Sequence, residues 1–291
     1  MKPSNQSNQF KKSGPSKFGT RKKFFPKKPA LELQTTTLWD YPSQHYGTEM
    51  QGDKNYIGAT PSYVIWNLLE RYTKPGQLVV DPMCGSGTTI DVCKDMDRVV
   101  RGFDLAPSRP DIEQNDARTL PLSSNTVDFV FIDPPYSTHV KYSGREECIG
   151  ELSAQETGYY EAMAQVISEI HRVLKPGGHC GLYVSDSFQK GKPFCPIGFE
   201  LFSELRKHME PVDIISVTRH NKKLKKGNWH EAASEGNFFL RGFNYLFIMK
   251  KADPPPSKPE KKLKGRAKKR FFERKEFLKT KSKTRPSKNL S

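Results

Sequence analysis

One nine-residue stretch constrains this chain most: Asp81-Pro82-Met83-Cys84-Gly85-Ser86-Gly87-Thr88-Thr89. It follows a short apolar run at 78–80 and precedes a helical pattern at 88–95, so it must turn a strand directly into a helix. Gly85 and Gly87 allow that tight turn and let a ligand approach the backbone closely. The turn feeds a helix N-terminus, where unpaired N–H groups and the helix dipole favour a carboxylate. No Gly-Lys-Ser/Thr follows, which argues against a phosphate-binding P-loop. The glycine spacing also falls short of the full dinucleotide fingerprint.

The same alternation of strand and helix runs through the middle of the chain. The spacing predicts helices at 61–72, 88–95, 159–174 and 199–209. It predicts strands at 78–80, 99–103, 127–132, 180–184, 214–218 and 245–249. The run at 127–132, VDFVFI, is nearly all apolar, as a central parallel strand must be. Lys175-Pro176-Gly177-Gly178 reads as a turn that stops the third helix. Alternation of this kind predicts a doubly wound, three-layer α/β domain.

Open α/β sheets bind ligands at the carboxyl ends of their strands, and three acids fall there. Asp104 ends the second core strand, where a carboxylate accepts from ribose hydroxyls. Asp116, in Asn115-Asp116-Ala117, follows in the next turn and suits an adenine amino group. Asp133-Pro134-Pro135-Tyr136 comes directly after the apolar strand. Two prolines fix that backbone and remove two N–H donors, leaving carbonyl acceptors beside the Asp133 carboxylate. An amino group on a nucleic-acid base is a double donor and fits an all-acceptor pocket. Tyr136 adds a ring on which an extruded base stacks. Taken alone, the glycine motif reads as a plain tight turn, Asp104 and Asp116 as ordinary loop acids, and 133–136 as a strand-ending turn with a solvent-facing tyrosine.

Taken together, DPMCGSGTT, GFD, NDA and FIDPPY resemble the amino-methyltransferases of the DNA N4-cytosine/N6-adenine methylase family, over roughly residues 35–250. The resemblance implies a Rossmann-like, seven-stranded S-adenosylmethionine-dependent methyltransferase fold. Tyr56, Thr60, Asp81, Pro82, Cys84, Gly85, Ser86, Gly87, Thr88, Asp104 and Asp116 would then hold S-adenosylmethionine. The target base would sit on Asp133, Pro134, Pro135 and Tyr136. The implied activity is methylation of cytosine N4 or adenine N6, on DNA by resemblance and with RNA as the alternative. Carbon-5 methylation would need a nucleophilic cysteine in the fourth-strand motif, where Tyr136 stands instead. Asp133 rather than Asn favours a base amino group over a protein glutamine. A non-catalytic nucleic-acid scaffold would be expected to carry a degenerate glycine loop, and this loop is intact.

Charge separates the chain into three parts. The net charge is +16, yet residues 1–30 carry +9 and 251–291 carry +12, leaving −5 for 31–250. The expected organisation is a disordered basic tail at 1–30, a methyltransferase domain at 31–251 and a second basic tail at 252–291. Phe24-Phe25 and Phe271-Phe272 lie among those tail cations, a pattern suited to phosphates and unpaired bases. Two further clusters are candidates for substrate contact or for edge packing, the second as a β-hairpin. One is 37–46. The other is Asn228-Trp229-His230 with 237–243, preceded by Arg219, Lys222, Lys223, Lys225 and Lys226. The five cysteines and the histidines show no metal spacing, so no metal is expected. No apolar run approaches a membrane span, and a cytoplasmic setting, near nucleoid or ribosome, is the expectation.

Overall fold

The computed structural model describes residues 28, 30–56, 58–136, 142–188, 191–220 and 222–254. The expectations for the basic tails, including Phe24-Phe25 and Phe271-Phe272, lie outside the described residues.

Eight strands form one sheet in the order β1-β7-β8-β6-β5-β2-β3-β4. They are β1 (Leu38–Trp39), β2 (Leu78–Asp81), β3 (Val99–Asp104), β4 (Glu113–Gln114), β5 (Val127–Ile132), β6 (Leu174–Val184), β7 (Glu210–Thr218) and β8 (Phe243–Lys250). The pairs β2–β3, β2–β5, β3–β4 and β5–β6 are parallel, and β8 lies antiparallel between β6 and β7. Seven of these strands make the sheet that the resemblance implies. The eighth is the two-residue β1, which pairs with β7 through Leu38↔Ser216 and Trp39↔Val217 and lengthens one edge.

Helices cover both faces. One layer holds α1 (Ser62–Tyr72) and α2 (Thr88–Asp95); the other holds α3 (Thr157–Val173) and α4 (Ile197–His208). β5 is central for the reason its sequence suggests. Phe129 and Phe131 face the α1 side, while Val130 and Ile132 face the α3 side, and all four are buried. The α1 layer also takes in Trp39, Tyr41 and Tyr46. Tyr41 stacks on Tyr63 at 4.9 Å, and Tyr46 donates to Asp95 at 2.8 Å. These three aromatics of the 37–46 cluster are therefore packing groups and are not available to a substrate. Their burial satisfies the sheet edge that β1 extends.

Two local expectations are corrected. Lys175-Pro176-Gly177-Gly178 lies within β6 rather than outside it, at a register break opposite Val127 and Phe129. Lys175 Nζ donates to Asp128 at 2.7 Å, which ties the irregular stretch to β5. The segment between β7 and β8 forms α5 (Gly227–Glu235), not a hairpin. α5 buries none of its residues, so core packing does not explain its aromatic content.

Strand order reverses between β2 and β5, which run side by side with Val79↔Phe129 and Val80↔Val130 in register. The chain leaves β2 towards β3 and leaves β5 towards β6. The loops after these two strands therefore diverge and open a crevice between them.

Candidate active site

Both signature turns open onto that crevice. Asp81 ends β2 with its carboxylate buried; Oδ2 accepts from Thr89 Oγ1 at 2.5 Å and Oδ1 from the Met83 N–H at 3.1 Å. The glycine loop then turns through two left-handed residues, Gly85 at φ +47° and Gly87 at φ +78°. At Gly85 a side chain would strike the Tyr56 ring, and at Gly87 it would strike the Arg109 guanidinium. Both positions therefore require glycine on two counts, conformation and space. The loop is buttressed from behind. Asp53 N–H donates to the Ser86 carbonyl at 2.8 Å, and the Ser86 and Thr88 hydroxyls pair at 2.8 Å. Cys84 packs its sulfur towards Gly102 on β3 and Ile90 on α2 and also lines the larger cavity. Burial pushes its thiol well above the ordinary range, as an inert packing group.

Asp104, at the end of β3, accepts the Gly85 N–H and the Ala106 N–H, each at 2.9 Å. These bonds fix the carboxylate with lone pairs to spare at a cavity of about 340 Å3. Pro82, Met83, Asn115, Ala117 and Ile149 contribute to the walls of that cavity. Asp116 lines it as well, but its carboxylate is already taken by the Arg118 guanidinium at 2.6 Å and by the Arg118 N–H at 2.9 Å. An adenine-binding role through this carboxylate therefore competes with an ion pair that sequence alone did not reveal.

Asp133 follows β5 and stands at the junction of this cavity with a larger one of about 710 Å3. Thr60 Oγ1 donates to Asp133 Oδ2, and the Tyr136 hydroxyl donates to Oδ1 at 2.5 Å. Thr60, expected beside the cofactor, lines the larger cavity and also holds this acid. Tyr136 lines the larger cavity, and its ring also packs on the α3 side of the core. The turn itself is pinned by the Tyr159 hydroxyl, which donates to the Pro135 carbonyl at 2.7 Å. Pro134 faces the larger cavity and Pro135 the smaller. Burial raises both Asp133 and Asp81 to about 7 against an ordinary value of 3.8. For Asp133 the two hydroxyl donors and Arg219 pull in the opposite direction.

The far wall of the larger cavity comes from the segment between β7 and β8. Arg219, Trp229, Phe238, Phe239 and Arg241 all line it. Arg219 donates to Ser185 Oγ at 3.1 Å and has no carboxylate partner among the described residues. Phe238 stacks on Phe188 at 5.1 Å. The second candidate cluster thus reaches the same cavity as Asp133, while the first does not. Ser185 and Asp186, Met83 and Tyr142 also line the site and were missed in the sequence. For Ser185 and Asp186 the signal was present, since both directly follow a core strand.

A family model described as DNA methylase, for N6 and N4 methyltransferases, matches residues 2–114 and 127–290. The chain belongs to the N6/N4 DNA methylase family. Solved structures of similar fold include the [4+2]-cyclase SpnF, at 17% identity and TM-score 0.46, covering 70% of this methylase and 88% of that chain. TrmN from Thermus thermophilus shows 17% identity and TM-score 0.44, covering 67% and 50%. Geranyl diphosphate C-methyltransferase from Streptomyces coelicolor A3(2) shows 14% identity and TM-score 0.44, covering 66% and 78%. No curated protein matches the methylase sequence.

The methylase takes its methyl group from S-adenosylmethionine, and the residues present fit that cofactor. Asp81, Asp104 and Asp133 are three carboxylates gathered at the strand ends, and Asp133 and Asp104 both push Asp81 upward in pKa. A site lined by acids is matched by a ligand carrying a sulfonium and an ammonium. Asp104, at the end of β3, would hold the ribose, and the glycine loop the methionine end. Among the described residues no helix is long and apolar enough to cross a membrane, and no group of three or more acids, histidines or cysteines is arranged to hold a metal ion.

Proposed function

We propose that this methylase transfers the methyl group to an exocyclic amino group of a base, cytosine N4 or adenine N6, in DNA. Asp133 carries the reading. It is a half-buried carboxylate held from both sides by Thr60 and Tyr136, at the point where the two cavities meet. S-adenosylmethionine, when bound, supplies an electrophilic methyl group on sulfur.

The amino nitrogen of a base is a poor nucleophile because its lone pair is delocalised into the ring. Asp133 counters this by accepting one amino proton, which localises electron density on nitrogen and aligns it for in-line attack. The Pro134 carbonyl is the acceptor for the second. As the new N–C bond forms and the S–C bond breaks, the nitrogen becomes acidic, and its proton passes to Asp133. Tyr136 and Thr60 keep the carboxylate oriented, and the Tyr136 ring offers the base a face. Cys84, Asp81, Gly85, Ser86, Gly87 and Thr88 belong to the cofactor side, as do Tyr56 and Asp104.

The family match supports DNA. RNA is the second reading, favoured by the compact connections. β7 and β8 are joined by a short segment rather than a large recognition insert. The test is methyl transfer from labelled S-adenosylmethionine to unmodified DNA and, separately, to unmodified ribosomal and transfer RNA. Mass spectrometry of the nucleosides then identifies the product, with Asp133→Ala as control. Label in N4-methyl-deoxycytidine or N6-methyl-deoxyadenosine sustains the proposal. Label confined to ribonucleosides keeps the chemistry and moves the substrate to RNA.

A further inference from the structure

Past Ser185 and Asp186 the large cavity continues into a smaller one of about 260 Å3. Phe239 and Arg241 are shared between the two, and Phe243 and Tyr245 close the far side. The one acid here, Asp186, is already engaged. It accepts from the Gly198 N–H at 2.9 Å and from the Tyr245 hydroxyl at 3.2 Å. Arg241 is not satisfied in the same way. Its Nη2 donates to the Phe239 carbonyl at 2.9 Å and its guanidinium lies 5.3 Å from the Phe194 ring centre. Its Nε is buried without a hydrogen-bond partner, and no carboxylate pairs with it among the described residues. Nε itself is covered by protein, but Arg241 lines the cavity with no carboxylate partner among the described residues, so this point of the wall suits an acceptor the protein does not itself provide.

Of the rings beside it, Phe243 packs edge-on against Tyr245 at 5.1 Å, and Phe239 is the more open of the two. Phe239 is 80% exposed and Phe243 is 42% exposed, and both stand at the rim of this cavity. An exposed phenyl face next to an uncompensated guanidinium matches one chemistry, a base stacked beside its phosphodiester.

We propose that this cavity is a subsite for the nucleotide adjoining the target base on the same strand. Arg241 holds the intervening phosphate and Phe239 stacks the neighbouring base. The inference rests on the reading that the target is a base within a polynucleotide. It adds a requirement which that reading lacks: the neighbour is unpaired, because a base stacked on Phe239 cannot also stack in a duplex. The chemistry is blind to the sugar, so single-stranded DNA and a looped RNA both supply it.

Fluorescence anisotropy of the full chain tests this, with labelled single strands of DNA and of RNA and the matched duplexes, over a series of salt concentrations. Single strands should bind more tightly than duplexes. Phe239→Ala should weaken single-strand binding by about tenfold and leave duplex binding unchanged. This side chain is exposed, so the substitution does not disturb the core. Arg241→Gln should lower the salt slope by about one, and Arg241→Lys should restore it. Equal wild-type affinity for single strands and duplexes of both sugars overturns the subsite. So does a Phe239→Ala protein that binds both forms as the wild type does. A methyl-transfer assay on the same samples separates the two readings. Transfer to nucleic acid with both variants unaltered removes the subsite alone. Loss of single-strand binding in Phe239→Ala, with no transfer by the wild type to any nucleic acid, upholds the subsite and removes the function.

Discussion

The two walls of the large cavity are built on opposite principles. The strand-end wall carries the buried Asp81 and the half-buried Asp133, acidic groups held by named donors such as Thr89, Thr60 and Tyr136. The wall from residues 219–242 carries Arg219, Trp229, Phe239 and Arg241, basic and aromatic groups that are partly or largely exposed. The first wall is wired into the core, so each of its residues affects both stability and chemistry. The second surrounds α5, which buries none of its residues, so core packing does not account for its composition. An acidic wall suits a cationic cofactor, and a basic, aromatic wall suits a polyanion with bases.

The largest expected effect tests the acidic wall. Asp133→Ala should lower methyl transfer by a factor of roughly 10²–10³, the usual loss when a positioned polar group is removed from a developing charge. Cofactor affinity, measured by calorimetry, should change little. If cofactor binding collapsed with turnover, Asp133 would belong to the cofactor side and the division between walls would blur. Next comes Arg219→Ala on the basic wall. It should raise KM for nucleic acid by roughly tenfold with a smaller change in kcat. A pure kcat loss would instead assign Arg219 to the reacting centre.

A smaller effect comes from pH. Asp133 must be ionised to accept an amino proton, and burial lifts it to about 7. Activity should therefore rise with pH through about 7 and fall by up to tenfold per unit below it. Tyr136→Phe removes a donor that favours the carboxylate form. Its acid limb should move to higher pH, with the aromatic face kept. An acid limb that stays in place would show that the Tyr136 hydroxyl does not govern Asp133.

The walls also differ in how plainly the sequence announced them. The acidic wall was legible because its chemistry is local. Asp81, Gly85, Gly87, Asp104 and Asp133 sit at strand ends in short motifs, and strand order alone brings them together. Even there, side-chain pairing was hidden. That Arg118 occupies Asp116, and that Thr60 reaches Asp133 across 73 positions, are tertiary facts. The basic wall was legible only as composition. Aromatics at 37–46 and at 228–243 look alike in sequence, yet one group is core and the other lines the cavity. What separates them is that Trp39, Tyr41 and Tyr46 are buried against a sheet edge and α1, whereas α5 buries none of its residues. The short β1 and β4 went unread because two-residue strands carry no period.

The smallest effects sharpen the contrast most, because they set stability against function. Thr89→Val removes the hydroxyl that donates to Asp81 at 2.5 Å, in a place that is fully buried. Losing one donor to a buried carboxylate costs about 1–3 kcal/mol. The melting temperature should fall by several degrees, and cofactor affinity should fall with it. Trp229→Ala lies on α5, where the ring is 37% exposed and the helix has no buried residue. Its stability change should stay within about 0.5 kcal/mol. Its KM for nucleic acid should still rise by severalfold, since the ring lines the cavity. Thermal melts and steady-state kinetics on the two variants measure both axes. If Trp229→Ala lost as much stability as Thr89→Val, α5 would be a structural element after all. The aromatic wall would then need a packing explanation rather than a substrate.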